Sequence, residues 1–77
     1  MGKRVFKYDK VLCRKFGKRL SDLRKDANIT QEELAFQANI FPSYLSAIER
    51  GITDTTISTV KRLSKALDQD LITLFHF

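Results

Sequence analysis

An all-α domain of five short helices is the fold class this sequence predicts, on three observations. Apolar residues recur at spacings of three and four along most of the chain, no run alternates apolar and polar residues as a half-buried strand would, and helix-starting and helix-stopping residues stand between the apolar runs. Length and composition set the bounds. At 77 residues the chain is about half the size of a typical domain and has room for one core. With 43% apolar and 30% charged residues and six Phe, it is too hydrophobic to be intrinsically disordered.

The first helix is expected to start near Lys10 with Asp9 as its cap, because Leu12, Phe16, Leu20 and Leu23 then fall on one face. The stretch "DANI" ends it, with Asn28 tolerating the left-handed conformation that closes many helices. Thr30 opens the second helix, and Glu33 three residues on completes a T-x-x-E capping box, with Leu34, Ala35 and Ala38 facing inward. Asn39, Ile40 and Phe41 leave space only for a sharp turn. Pro42, whose fixed backbone angle suits a first turn, begins a third helix that runs to about Arg50 and stops at Gly51, with Leu45 and Ile48 inward. Thr56 can cap a fourth helix with the apolar stripe Ile57, Val60, Leu63, Ala66 and Leu67, and Asp70 a last short one from Leu71 to about Phe75.

Charge is distributed unevenly. Through Arg19 there are eight basic residues against Asp9 alone, a net +7, whereas residues 20–77 hold six basic against eight acidic, a net −2. A cationic front on a nearly neutral body attracts polyanions, either nucleic acid or an anionic membrane surface, or it serves only as a solvated basic tail. A membrane anchor is a poor reading, because the basic stretch is short and lacks a sustained amphipathic period, and no run of 18 apolar residues occurs. Phe6 stands where a myristoylation motif wants Ser or Thr, and no signal peptide is apparent. Cys13, the sole cysteine, cannot form an internal disulfide. Its place beside the apolar stripe suggests a small buried hydrophobe rather than a reactive thiol. A soluble protein in a reducing, cytoplasmic setting is expected.

An enzyme is disfavoured: the only histidine is His76, and no metal-ligand set, nucleophile with its base, or Gly-rich phosphate loop can be assembled. No cofactor, metal or small-molecule ligand is legible.

From Phe16 to Phe75 the chain resembles the Cro/C1-type (XRE) helix-turn-helix family. The resemblance is carried by "FGKRLSDLRKDANITQEELAFQANI", then "SYLSAIERG", then "LSKALDQDLITLF". The T-Q-E-E-L-A start of the second helix and the I-E-R-G end of the third are specific in combination, and "ELAFQANI" with "YLSAIERG" is similar to restriction-modification controller proteins in particular. The resemblance implies a compact, lambda-repressor-like domain over residues 10–77, with the helix-turn-helix at about 30–50 and a basic arm over residues 1–9. It implies a sequence-specific regulator of transcription that binds double-stranded DNA, with the third helix in the major groove and the second across the backbone, usually as a symmetric dimer on a palindromic operator and autoregulatory. The base-facing positions are then Pro42, Ser43, Tyr44, Ser46 and Ala47. It also implies an ion pair between Arg24 and Glu49, locking the recognition helix to the first.

The chain departs from the family where Phe41 and Pro42 replace the polar cap and the Arg or Gln that often begin the third helix. Specificity must then come from the serines, Tyr44, nearby basic side chains, or DNA shape. Phe41 is expected to pack back on the helix as a staple, the alternative being an exposed wedge against thymine methyls. Phosphates are expected to meet Gln31, whose counterpart in the family does this, with Lys18, Arg19, Thr53 and Thr56. Arg50 can reach a phosphate or favour the negative end of its own helix.

Leu71, Ile72, Leu74, Phe75 and Phe77 exceed what one short helix can bury against a small core, so a homodimer interface is expected there, the alternative being simple closure of the core. The arm can track the minor groove, extend the dimer, or stay unordered. An antitoxin or protein-binding adaptor on the same fold is the other functional reading, because fold does not fix function.

Overall fold

The computed structural model describes residues 7–77, and the first six residues of the expected basic arm lie outside the described residues. Helix starts are set by local capping. The Asp9 carboxylate accepts the Leu12 amide at 3.0 Å and opens α1 (Lys10–Asp26), which ends at Ala27 before Asn28 turns left-handed at φ 57°. Thr30 accepts the Glu33 amide at 3.1 Å and opens α2 (Gln31–Ala38). The Thr30 hydroxyl also donates to the Glu33 carboxylate at 3.2 Å, so the two residues are joined side chain to side chain rather than through the Thr30 amide as in a full capping box. Asn39 closes α2 in the left-handed conformation, and Pro42 then begins α3 (Pro42–Glu49). Thr56 accepts the Thr59 amide at 3.1 Å to open α4 (Ile57–Ala66), and α5 (Leu71–Leu74) starts without a side-chain cap, since Asp70 makes no such bond.

The helices surround one core of Phe16, Leu20, Leu34, Ala35, Ala38, Leu45, Ile48, Val60, Leu63, Leu67 and Leu74. α2 packs on α3 and α4, α1 on α3, and α5 against both α1 and α4. Two contacts fix how closely α3 sits on α1. Gly17 in α1 lies against the end of α3, where an added Cβ would strike the Ile48 carbonyl and come within 2.6 Å of the Glu49 oxygen. Gly51, at φ +71°, ends α3 beside the Arg14 backbone, again too close for a side chain.

Long-range arginines complete the helix ends. Arg62 in α4 donates to the Ala38 carbonyl at the end of α2 at 2.9 Å, and Arg19 in α1 donates to the Thr73 carbonyl in α5 at 2.9 Å. The structure corrects three further sequence expectations. Ile57, expected on the inward stripe of α4, is the first residue of that helix and is 87% exposed, whereas Thr59 and Ser64 are buried on it. Phe41 is no staple: it is 79% exposed, and Ile40 is the turn residue that packs against the core. Leu74, expected among the partner-facing residues, is wholly buried in this chain's own core.

Candidate nucleic-acid interface

The position of α3 is controlled from its C-terminal end. Arg24 donates from Nε to Glu49 Oε2 at 2.7 Å and from one terminal nitrogen to Oε1 at 3.0 Å, while its other terminal nitrogen donates to the Ile29 carbonyl at 2.9 Å. Both side chains are nearly withdrawn from water, so the two-point contact is little screened. The hydrogen bond to Glu49 raises the Arg24 pKa above its ordinary value; burial works against this and the Glu49 charge adds to it. Gln31 joins the cluster, its amide donating to Glu49 Oε1 at 3.0 Å. One carboxylate thus ties together α1, the first residue of α2, and the end of α3. The second amide hydrogen of Gln31 remains available to an outside acceptor.

The other end of α3 stays open. Phe41, Pro42 and Ser43 are exposed, and Ser46 and Ala47 half-buried one turn further along. Tyr44 is half-buried against the core, and its hydroxyl donates to the Thr55 hydroxyl at 3.0 Å, tying α3 to the loop before α4. In that loop the Thr53 hydroxyl donates to the Asp54 carbonyl at 3.2 Å, and the exposed Thr56 hydroxyl is already engaged with Thr59 at 2.9 Å.

The basic residues occupy different settings. Lys18 is exposed and pairs with Asp22 at 3.2 Å, a surface contact of little energetic weight that a phosphate can displace. Arg50 is exposed and leans on its own helix, donating to the Ser46 carbonyl at 3.3 Å. Arg19 is half-buried and held by α5. Sequence reasoning missed three supports: Gly17 as a contact point, the Gln31 bond to Glu49, and Arg62 as the cap of α2. None has a local signal, because each depends on which helices meet.

Leu12, Phe16, Ile57, Val60, Leu71 and Phe75, with the loop from Thr53 to Thr55, line an apolar groove of about 230 Å³ bounded by α1, α4 and α5. Phe75 and Phe77 are about half exposed and Ile72 is 80% exposed. Phe75 also packs on Phe16, with ring centroids 5.0 Å apart. Cys13 lies half-buried at the groove, its pKa raised first by burial and then by the charges of Asp54 and Asp9. Among the described residues no three His, Cys, Asp or Glu side chains gather as a metal site needs, and no helix is long and apolar enough to cross a membrane.

Comparison with known proteins places this geometry. A helix-turn-helix family model matches residues 20–74. The control protein C.BamHI of Bacillus amyloliquefaciens is 36% identical over 53 residues, 68% of this chain and 65% of that protein. The transcriptional regulator SinR of Bacillus subtilis is 37% identical over 59 residues, 75% of this chain and 53% of that protein. The chain therefore matches somewhat over half the length of these relatives. Among solved structures, the restriction-modification controller protein C.AhdI from Aeromonas hydrophila superposes with a TM-score of 0.81 at 36% identity, covering 82% of this chain and 96% of that one. With five helices among the described residues, a helix-turn-helix at α2 and α3, and these relatives, the chain belongs to the Cro/C1-type (XRE) helix-turn-helix family of DNA-binding transcriptional regulators.

Proposed function

We propose that this protein is a controller-like regulator of transcription that binds a palindromic double-stranded DNA operator as a homodimer and regulates its own gene. The observation that carries the reading is the asymmetry of α3: its C-terminal end is clamped by Arg24, Glu49 and Gln31, while its N-terminal turn is left open. A rigidly held helix with a free first turn suits insertion into a major groove, where residues near the helix N-terminus meet base edges. Ser43 and Ser46 supply hydrogen bonds, Ala47 an apolar contact, and Pro42 and Tyr44 shape. Gln31 and Lys18, with Arg50 and the Thr53 to Thr56 loop, meet phosphates.

The exposed apolar residues of the groove, and those of α5 and the chain end beside it, support the dimer. Ile57, Leu71, Ile72, Phe75 and Phe77 would be covered by a second copy, which would double the DNA contacts. The likeness to a control protein and to a restriction-modification controller protein supports the controller-like role, and autoregulation is what the family resemblance implies. The test is selection from a pool of random-sequence duplexes by the full chain. A two-fold symmetric consensus with half-sites about one helical turn apart is expected. Failure to enrich any sequence would overturn the reading in favour of a protein-binding adaptor role for the apolar face.

A further inference from the structure

Phe41 stands at the N-cap of α3, makes no side-chain cap bond, and is 79% exposed. A polar residue here would satisfy a free amide at the helix start, so the aromatic ring does nothing for the helix that holds it. It does nothing for the core either, since Ile40 fills that place in the turn. The ring shares the open end of α3 with Pro42 and Ser43, both exposed.

We infer that Phe41 is a specificity-determining residue that recognises the C5 methyl group of a pyrimidine in the major groove. The inference rests on the proposed insertion of α3. A phenyl ring has no hydrogen bond to offer a base edge, so it discriminates only by apolar contact, and the apolar group that base pairs present in the major groove is the C5 methyl of thymine. 5-Methylcytosine carries the same group at the same place. Phe36 is also exposed, at 86%, but it lies on α2, the helix expected to cross the sugar-phosphate backbone, where no methyl group is available.

The test uses the full chain and a duplex enriched from the random pool. Dissociation constants are measured for that duplex and for versions in which each thymine in turn is replaced by uracil, which removes the methyl alone. In further versions the thymine at the sensitive step gives way to cytosine or to 5-methylcytosine. At one step in each half-site, uracil should weaken wild-type binding about fourfold, the worth of one buried methyl group. Phe41→Leu should keep that penalty, Phe41→Ser should abolish it, and Phe36→Ser should leave it unchanged. Methylated cytosine should bind more tightly than unmethylated cytosine by the same factor, which separates recognition of the methyl from recognition of thymine's O4. Because Ser is a good N-cap, Phe41→Ser should melt no lower than wild type, so its result is not a folding failure. Equal uracil penalties in wild type and Phe41→Ser would overturn the assignment while leaving operator binding intact. A pool that yields no enriched sequence would overturn both.

Discussion

Arg24 and Glu49, 25 positions apart in sequence, meet through two hydrogen bonds of 2.7 and 3.0 Å and hold the recognition helix against α1. Removing either partner leaves the other nearly buried and uncompensated. Arg24→Ala or Glu49→Ala should lower unfolding free energy by about 3 to 5 kcal/mol, and the double variant should lose clearly less than the sum. Chemical denaturation monitored by circular dichroism measures both. Additive losses would mean that the two side chains act independently.

Gly17 is the second support of the same helix. A methyl group there meets backbone oxygens of Ile48 and Glu49, which cannot move aside as a side chain can. Gly17→Ala should therefore cost about 1 to 3 kcal/mol, although alanine is the better helix former. A melting temperature equal to or above wild type would contradict the close approach.

Local rules and long-range contacts explain why parts of this fold were legible in the sequence and parts were not. Asp9, Thr30, Thr56 and Pro42 mark helix starts because a cap acts within three residues, and the structure has helices at those places. Gly17 reads as an unfavourable residue inside a helix until α3 is known to cross it. Ile57 fits the apolar period of α4 but is exposed at the first residue of the helix, and no periodicity reports where the core ends. The apolar excess near the C-terminus was visible, whereas its division between a buried Leu74 and an exposed Ile72 depends on how α5 sits against α1 and α4. The resemblance supplied the Arg24 and Glu49 pairing, and residue spacing alone gave no sign of it.

The apolar face should control oligomeric state. Ile72 and Ile57 are 80% and 87% exposed, so Ile72→Asp or Ile57→Asp should leave the monomer fold intact. Sedimentation equilibrium should show a wild-type dimer dissociating to monomers in both variants, with a matching loss of operator affinity. A wild-type monomer at high micromolar concentration would contradict a dimer built on this face.

Cys13 should be a slow nucleophile. Burial, and then the charges of Asp54 and Asp9, raise its pKa above that of an ordinary thiol, so less thiolate is present near neutral pH than on a free thiol. Iodoacetamide should react more slowly than with a cysteine-containing peptide, and Asp54→Ala should speed the reaction by removing one cause of the shift. The unfolded thiol ionises first, so its contribution to stability is full below the unfolded pKa and is lost as the pH rises through the folded one. Reaction at the peptide's rate would show that the thiol is not shielded.

Base-facing and phosphate-facing roles separate by specificity. Ser46→Ala should weaken operator binding more than binding to random DNA, whereas Lys18→Ala should weaken both alike. Equal losses for Ser46→Ala on both DNAs would remove it from the base-reading set.

Sequence-specific autoregulation is tested most directly by binding to the DNA immediately upstream of the protein's own gene, against scrambled DNA of the same length, titrated over salt. A preference of about a thousandfold is expected, with log affinity falling against log salt at a slope of about −5 if roughly six phosphates are engaged per dimer. Equal affinity for the two DNAs at every salt concentration would contradict a sequence-specific autoregulator.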